Sequence, residues 1–129
     1  LTTLVGERGE NAWSEVVDAA RITRSQQISG VISLVEQHVL IPQLPMILMG
    51  DFNATADEYT LRELLEQDHG ILQLKPQENI ATHPNAGAVD HIYFFPAKRL
   101  VEYACYVVST PLSRSISDHL PVVADITIQ

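Results

Sequence analysis

The chain has 129 residues, 46% of them hydrophobic, which suits one packed domain and argues against disorder. Its 16 acidic residues against 8 lysines and arginines leave a net charge of −8, a poor field for non-specific binding of nucleic acid. The single cysteine, Cys105, rules out an intrachain disulfide, and no apolar run reaches the roughly 18 residues that a membrane span needs.

Leu1–Val5 reads as a short strand, and Gly6–Asn11, with two glycines, as a polar loop. Ile28, Val31, Ile32, Val35 and Val39 then recur on one face of a 3.6-residue period, which predicts a long amphipathic helix. Pro42 and Pro45 end it. Met46–Gly50 is a buried strand. Thr55 and Glu58 have the spacing of a capping box, opening a helix through Leu61, Leu64 and Leu65 that closes near His69-Gly70. Ile71–Leu74 predicts a brief strand, and Pro76–Ala88 a loop. Val89–Phe95 and Leu100–Val108 are strands, Thr110–Ser117 a serine-rich loop, and Pro121–Ile128 the last strand. Helices falling between strands predict an α/β or mixed layered domain.

The segments that carry chemistry lie at strand ends. Met46–Asn53 is an apolar run that stops at Gly50 and then presents Asp51 and Asn53. If the segment stays extended, those two side chains aim at one point while Phe52 turns into the core. The alternative is an Asx turn that merely closes the strand. Ser117-Asp118-His119-Leu120-Pro121 sets an acid beside an imidazole, whose unperturbed pKa of about 6.5 suits proton transfer or a positive clamp on phosphate. Val89-Asp90-His91-Ile92 places an acid on a mostly apolar strand, where it faces solvent or needs a partner.

Taken in order, Gly50-Asp51-Phe52-Asn53, Asp90-His91-Ile92 and Ser117-Asp118-His119-Leu120-Pro121-Val122 resemble the endonuclease/exonuclease/phosphatase superfamily, whose fold is that of deoxyribonuclease I. Thr82-His83-Pro84 before the Asp90 strand, and Arg24 with Gln27 in the long helix, are similar to further family features. The resemblance runs from about Arg21 to Ile128. It implies an α/β (α+β) fold related to a four-layer α/β/β/α sandwich, with mostly antiparallel or mixed sheets and flanking helices. It also implies hydrolysis of a phosphoester with a divalent metal, Mg2+ or Mn2+. By that resemblance Asp51 and Asn53 orient the attacking water, Asp118 and Asp51 hold metal, His119 contacts the scissile phosphate, and Asp90 fixes the His119 tautomer. Phosphoryl transfer needs charge neutralisation and in-line positioning, and magnesium takes hard oxygen ligands, so the residue types suit the task.

The family's early asparagine and metal-ligating glutamate have no matching stretch, and Thr2 is followed by Thr3 where the family often has Thr-His. Residues 1–129 are therefore expected to be the C-terminal portion of a family domain, half of the sandwich and inactive by itself. Its partners would be the N-terminal half, or a second copy over the inner sheet face, and a phosphoester substrate: nucleic acid, phospholipid or small phosphate ester. The Asp90–Ile92 form is similar to the nuclease and sphingomyelinase-like branches, without the Trp-x-Asp-Arg pattern of inositol-phosphate phosphatases. The alternative is a non-catalytic binding or assembly module built on the same fold.

Overall fold

The structure, a computed structural model, describes residues 7–67 and 69–129, with side chains described from residue 15 onward except that of residue 64. The expected strand at Leu1–Val5 lies outside these residues. The long helix α1 spans Glu7–Val35 and continues through a wider π-type segment at Glu36–Leu40. It begins earlier than expected, taking up most of the stretch whose composition suggests a polar loop. That stretch carries Glu7 and Glu10, and acids favour a helix N-terminus without any apolar period to announce it. The predicted stripe is the buried one: Ile28 and Ile32 are in the core, with Val35 and Val39 packed against it.

Strand β1 is Met46–Asp51, and a short helix α2, Tyr59–Leu61, runs into a π-type segment at Arg62–Gln67. The predicted capping box at Thr55 does not form. The Thr55 hydroxyl donates to the Asp57 carboxylate at 2.5 Å, and Glu58, the helix N-cap, is drawn instead to Arg24, with Nη2 to Oε1 at 3.3 Å. Leu61 and Leu65 are fully buried. Gly70 closes the segment at φ 64°, a left-handed conformation that glycine adopts without cost. Strands β2 (Leu72–Gln73), β3 (Asp90–Phe95) and β4 (Leu100–Val107) follow. Pro111–Ile116 is a helix, α3, rather than the expected serine-rich loop. Thr110 and Ser113 make a reciprocal capping box, and Pro111 takes the first helical position, where a missing N–H costs nothing. Strand β5, Val122–Ile128, is the last element.

Among the described residues the strands form an antiparallel sheet of order β1-β3-β2 and a β4-β5 pair. Alternation along β3 divides the core. Tyr93 and Phe95, with Met46 and Leu48 of β1, face α1 and Leu61 and Leu65. Ile92 and Phe94 point the other way, onto Cys105, Val122, Ala124 and Ile126 of the β4-β5 pair. The class is α+β: helices cover one face of a sheet whose other face packs on a second sheet. Ile47 and Met49 share the sheet-facing side but are 52% and 70% exposed, at the edge of the sheet. No helix among the described residues is long and apolar enough to cross a membrane.

Candidate active site

The sheet register itself brings two acids together. Asp51 ends β1 and Asp90 begins β3, and they are direct antiparallel partners. By alternation both fall on the side of Ile47, Met49, Ile92 and Phe94. Like charges set directly opposite destabilise a sheet. His119, from the loop before β5, supplies the offsetting group. Its Nδ1 is 2.9 Å from Asp90 Oδ2, and its Nε2 is 3.8 Å from Asp51 Oδ2. The ligand atoms of Asp51, Asp90 and His119 all lie within 4.8 Å of one another.

The Asp90 contact decides the tautomer. A carboxylate accepts, so Nδ1–H donates, and Nε2 is left facing Asp51. The hydrogen bond to Asp90 raises the His119 pKa above its ordinary 6.5; desolvation opposes it, and the charges of Asp90, Asp51 and Asp118 each add a smaller upward push. A raised histidine pKa means that the ion pairs contribute stability at pH values below the ordinary one and lose it as pH rises through the raised value. In metal-free protein followed by NMR, His119 should therefore titrate above 6.5, and Asp90→Asn should bring it down. An unmoved titration in the variant would remove Asp90 as the cause.

Thr82 fastens the two halves of this arrangement. It is 1% exposed, and its Oγ1 accepts from the backbone N–H of Val89 at 3.1 Å and of Asp90 at 3.2 Å. Its carbonyl accepts from Leu120 N at 2.8 Å, next to His119. One buried residue thus fixes the start of β3 and the His119 loop. Thr82→Val keeps the shape and removes the acceptor, which should cost ~1–3 kcal/mol in urea unfolding. A loss within error of zero would mean that the two amides find other partners. His91 is likewise structural. It is 5% exposed, donates from Nε2 to the Ala54 carbonyl at 2.7 Å, and packs on Phe52 and Tyr93, pinning the loop after β1.

Asp51 both closes a turn and faces the cleft. Oδ1 accepts from Asn53 N at 2.8 Å, an Asx turn, while Oδ2 faces His119. The segment is not extended through Asn53, whose φ is 51°, and this is where the chain turns; Gly50 remains in the ladder opposite His91. Asparagine tolerates that left-handed state better than most residues. Phe52 packs on the helix-side core as expected. Asn53 lines, with Asp51, Arg24 and Gln27, a cavity of about 260 Å³, so it joins Asp51 there rather than His119. Asp118 is mostly exposed, and its Oδ2 is 3.4 Å from Nε2 of His83. The His83 and His119 rings are 4.9 Å apart. His83 is a member of the cleft that residue type and spacing do not single out, because it lies between Thr82 and Pro84 in a stretch with the composition of a loop. The backbone N–H groups of Asn85 and Ala86 bind its ring, a tie that residue identity does not announce.

A family model matches residues 6–119: the Endonuclease/Exonuclease/phosphatase family. Neither a curated protein nor a solved structure matches the chain.

Proposed function

The chain belongs to the endonuclease/exonuclease/phosphatase family, and from that premise we propose that the complete domain hydrolyses a phosphoester with the help of a divalent cation at the site around His119. The observation that carries the reading is the His119 ring held between two directly opposed carboxylates, Nδ1 on Asp90 at 2.9 Å and Nε2 toward Asp51 at 3.8 Å. A pairing of acids that weakens the sheet suits a site better than a scaffold.

The donor types suit a hard cation, although Asp51 and Asp118 each group with His119 and not with one another. Asp51 and Asp118 offer carboxylate oxygens with side chains 37% and 71% exposed, leaving room for water in the remaining positions. Those two residues would hold Mg2+ or Mn2+. When bound, such a cation neutralises charge on the phosphoryl oxygens. Asp90 holds the His119 imidazole so that Nε2 faces the cleft. The raised His119 pKa keeps that nitrogen protonated to higher pH, and Nε2–H donates to a non-bridging phosphate oxygen. Asp51 accepts a hydrogen bond from the attacking water, and the Asn53 amide orients it from the adjoining turn. As the water oxygen bonds to phosphorus it gives a proton to Asp51, the ester P–O bond breaks, and its electron pair leaves with the alcohol oxygen, which takes up a proton from solvent. The Asp90-His91-Ile92 form favours a diester, as in the nuclease and sphingomyelinase-like branches, over a monoester.

Turnover of bis(p-nitrophenyl) phosphate and p-nitrophenyl phosphate by the complete domain, with Mg2+ or Mn2+ and with EDTA, tests the reading. The expected result is metal-dependent hydrolysis, faster for the diester and abolished by EDTA. No hydrolysis of either ester, with vanadate or phosphate still bound, would replace it with the binding-module reading.

A further inference from the structure

We propose that His83 is a positioning residue of this cleft: a neutral imidazole, locked in one tautomer, that holds the Asp118 carboxylate beside His119 and does not ligate metal. Its role in turnover rests on the reading that Asp118 serves a phosphoester site.

The lock comes from the backbone. The N–H groups of Asn85 and Ala86 both point at His83 Nδ1, at 3.2 and 3.1 Å. A backbone N–H only donates, so Nδ1 must accept from both, and the ring proton belongs on Nε2. The loop that sets these donors is closed by paired bonds: His83 N to the Gly87 carbonyl at 3.0 Å and Gly87 N to the His83 carbonyl at 3.1 Å. Gly87 has φ 85°, and a Cβ there would meet Thr55 Cγ2 at 3.7 Å, so turn geometry rather than crowding requires the glycine. The His83 side chain is only 20% exposed. Its Nε2 therefore stands on a rigid mount, 3.4 Å from Asp118 Oδ2, whose own side chain is 71% exposed. Two imidazole–carboxylate pairs result, working in opposite senses. Asp90 fixes the ring of His119 by a hydrogen bond, and Nε2 of His83 stands at ion-pair distance from the exposed carboxylate of Asp118, where it would steer that group.

The same lock decides between two groupings. His83, Asp118 and His119 also present ligand atoms within 4.8 Å of one another, the composition of a two-histidine, one-carboxylate metal centre. For His83 to bind a cation through Nε2, its proton would have to move to Nδ1, against two backbone donors. Both hydrogen bonds would break. The cation is thereby left to the carboxylate oxygens, and the imidazole of His83 orients one of them.

Long-range ¹⁵N–¹H NMR of the histidine rings tests this, with His83→Phe providing the assignment. His83 should show an unprotonated Nδ1 and a protonated Nε2 near neutral pH, unchanged by added Zn2+, and Asp118→Asn should shift the Nε2–H resonance. An Nδ1-protonated ring, loss of Nε2–H on adding zinc, or no response to Asp118→Asn would each overturn the proposal. In turnover, His83→Phe and Asp118→Asn should each lower kcat on the order of tenfold with KM little changed. The double variant should be no worse than Asp118→Asn alone, and His83→Gln, which places an amide N–H near Nε2, should recover most of the loss. Additive losses, or no recovery with Gln, would overturn it. A wild-type protein that hydrolyses no ester would sink the proposed function, while the NMR spectra would still decide the tautomer and the Asp118 contact of His83.

Discussion

His119→Ala should lower metal-dependent phosphoester turnover by at least about a hundredfold, the scale of losing acid–base help or electrostatic stabilisation of the transition state. The imidazole is the shared neighbour of every acid in the cleft: 2.9 Å from Asp90, 3.8 Å from Asp51, and grouped with Asp118 in a second cluster. Removing it would delete the proposed phosphate donor and leave Asp51 and Asp90 opposed without an imidazole between them. The fold should survive, because the side chain is 35% exposed and belongs to neither core cluster. Steady-state kinetics with saturating Mg2+, paired with circular dichroism melting, separates the two effects. A variant that keeps near-full activity would mean that the Asp90–His119 pair is a structural staple.

Where the period of the sequence is strong, the structure is legible from it. The 3.6-residue stripe of α1 and the apolar run of β3 state which residues are buried, whereas β1, expected as a buried strand, keeps none of its residues fully buried and leaves Ile47 and Met49 exposed. The register follows less directly. Nothing in Met46–Asp51 or Asp90–Phe95 says that they pair, and it is this long-range pairing that sets Asp51 against Asp90. Local chemistry misleads at the caps. Thr55 and Thr110 each stand before a helix, but Asp57 competes for the Thr55 hydroxyl, whereas Pro111 fixes the backbone and Ser113 reciprocates for Thr110. Competition between neighbours of that kind is invisible to a spacing rule. The turn at Asn53 is visible in type but not in place, since Gly50 and Asn53 are both turn formers and only the ladder with β3 shows which one bends. Acids at strand ends announce the cleft, whereas His83 is tied into it by backbone amides, which carry no signal in residue identity.

Asp51→Asn should lower turnover by about a hundredfold or more while leaving the protein as stable as before or slightly more stable. The substitution keeps an oxygen for the Asx turn, so the 2.8 Å hydrogen bond from Asn53 N survives and the loop keeps its course. What it removes is one negative charge from a directly opposed pair of carboxylates, a change that relieves repulsion across the sheet. It also removes the anionic oxygen that faces His119 Nε2 and that would hold metal and the attacking water. A residue kept for the scaffold would behave in the reverse way: its loss would cost stability and spare the chemistry. Urea unfolding and Mg2+-dependent turnover, measured on the same preparation, therefore give the sign of Asp51's contribution to each. Unchanged activity would remove Asp51 from the site. A clear loss of stability with activity retained would make the strand end a structural cap, and the opposed acids a cost borne for the turn alone.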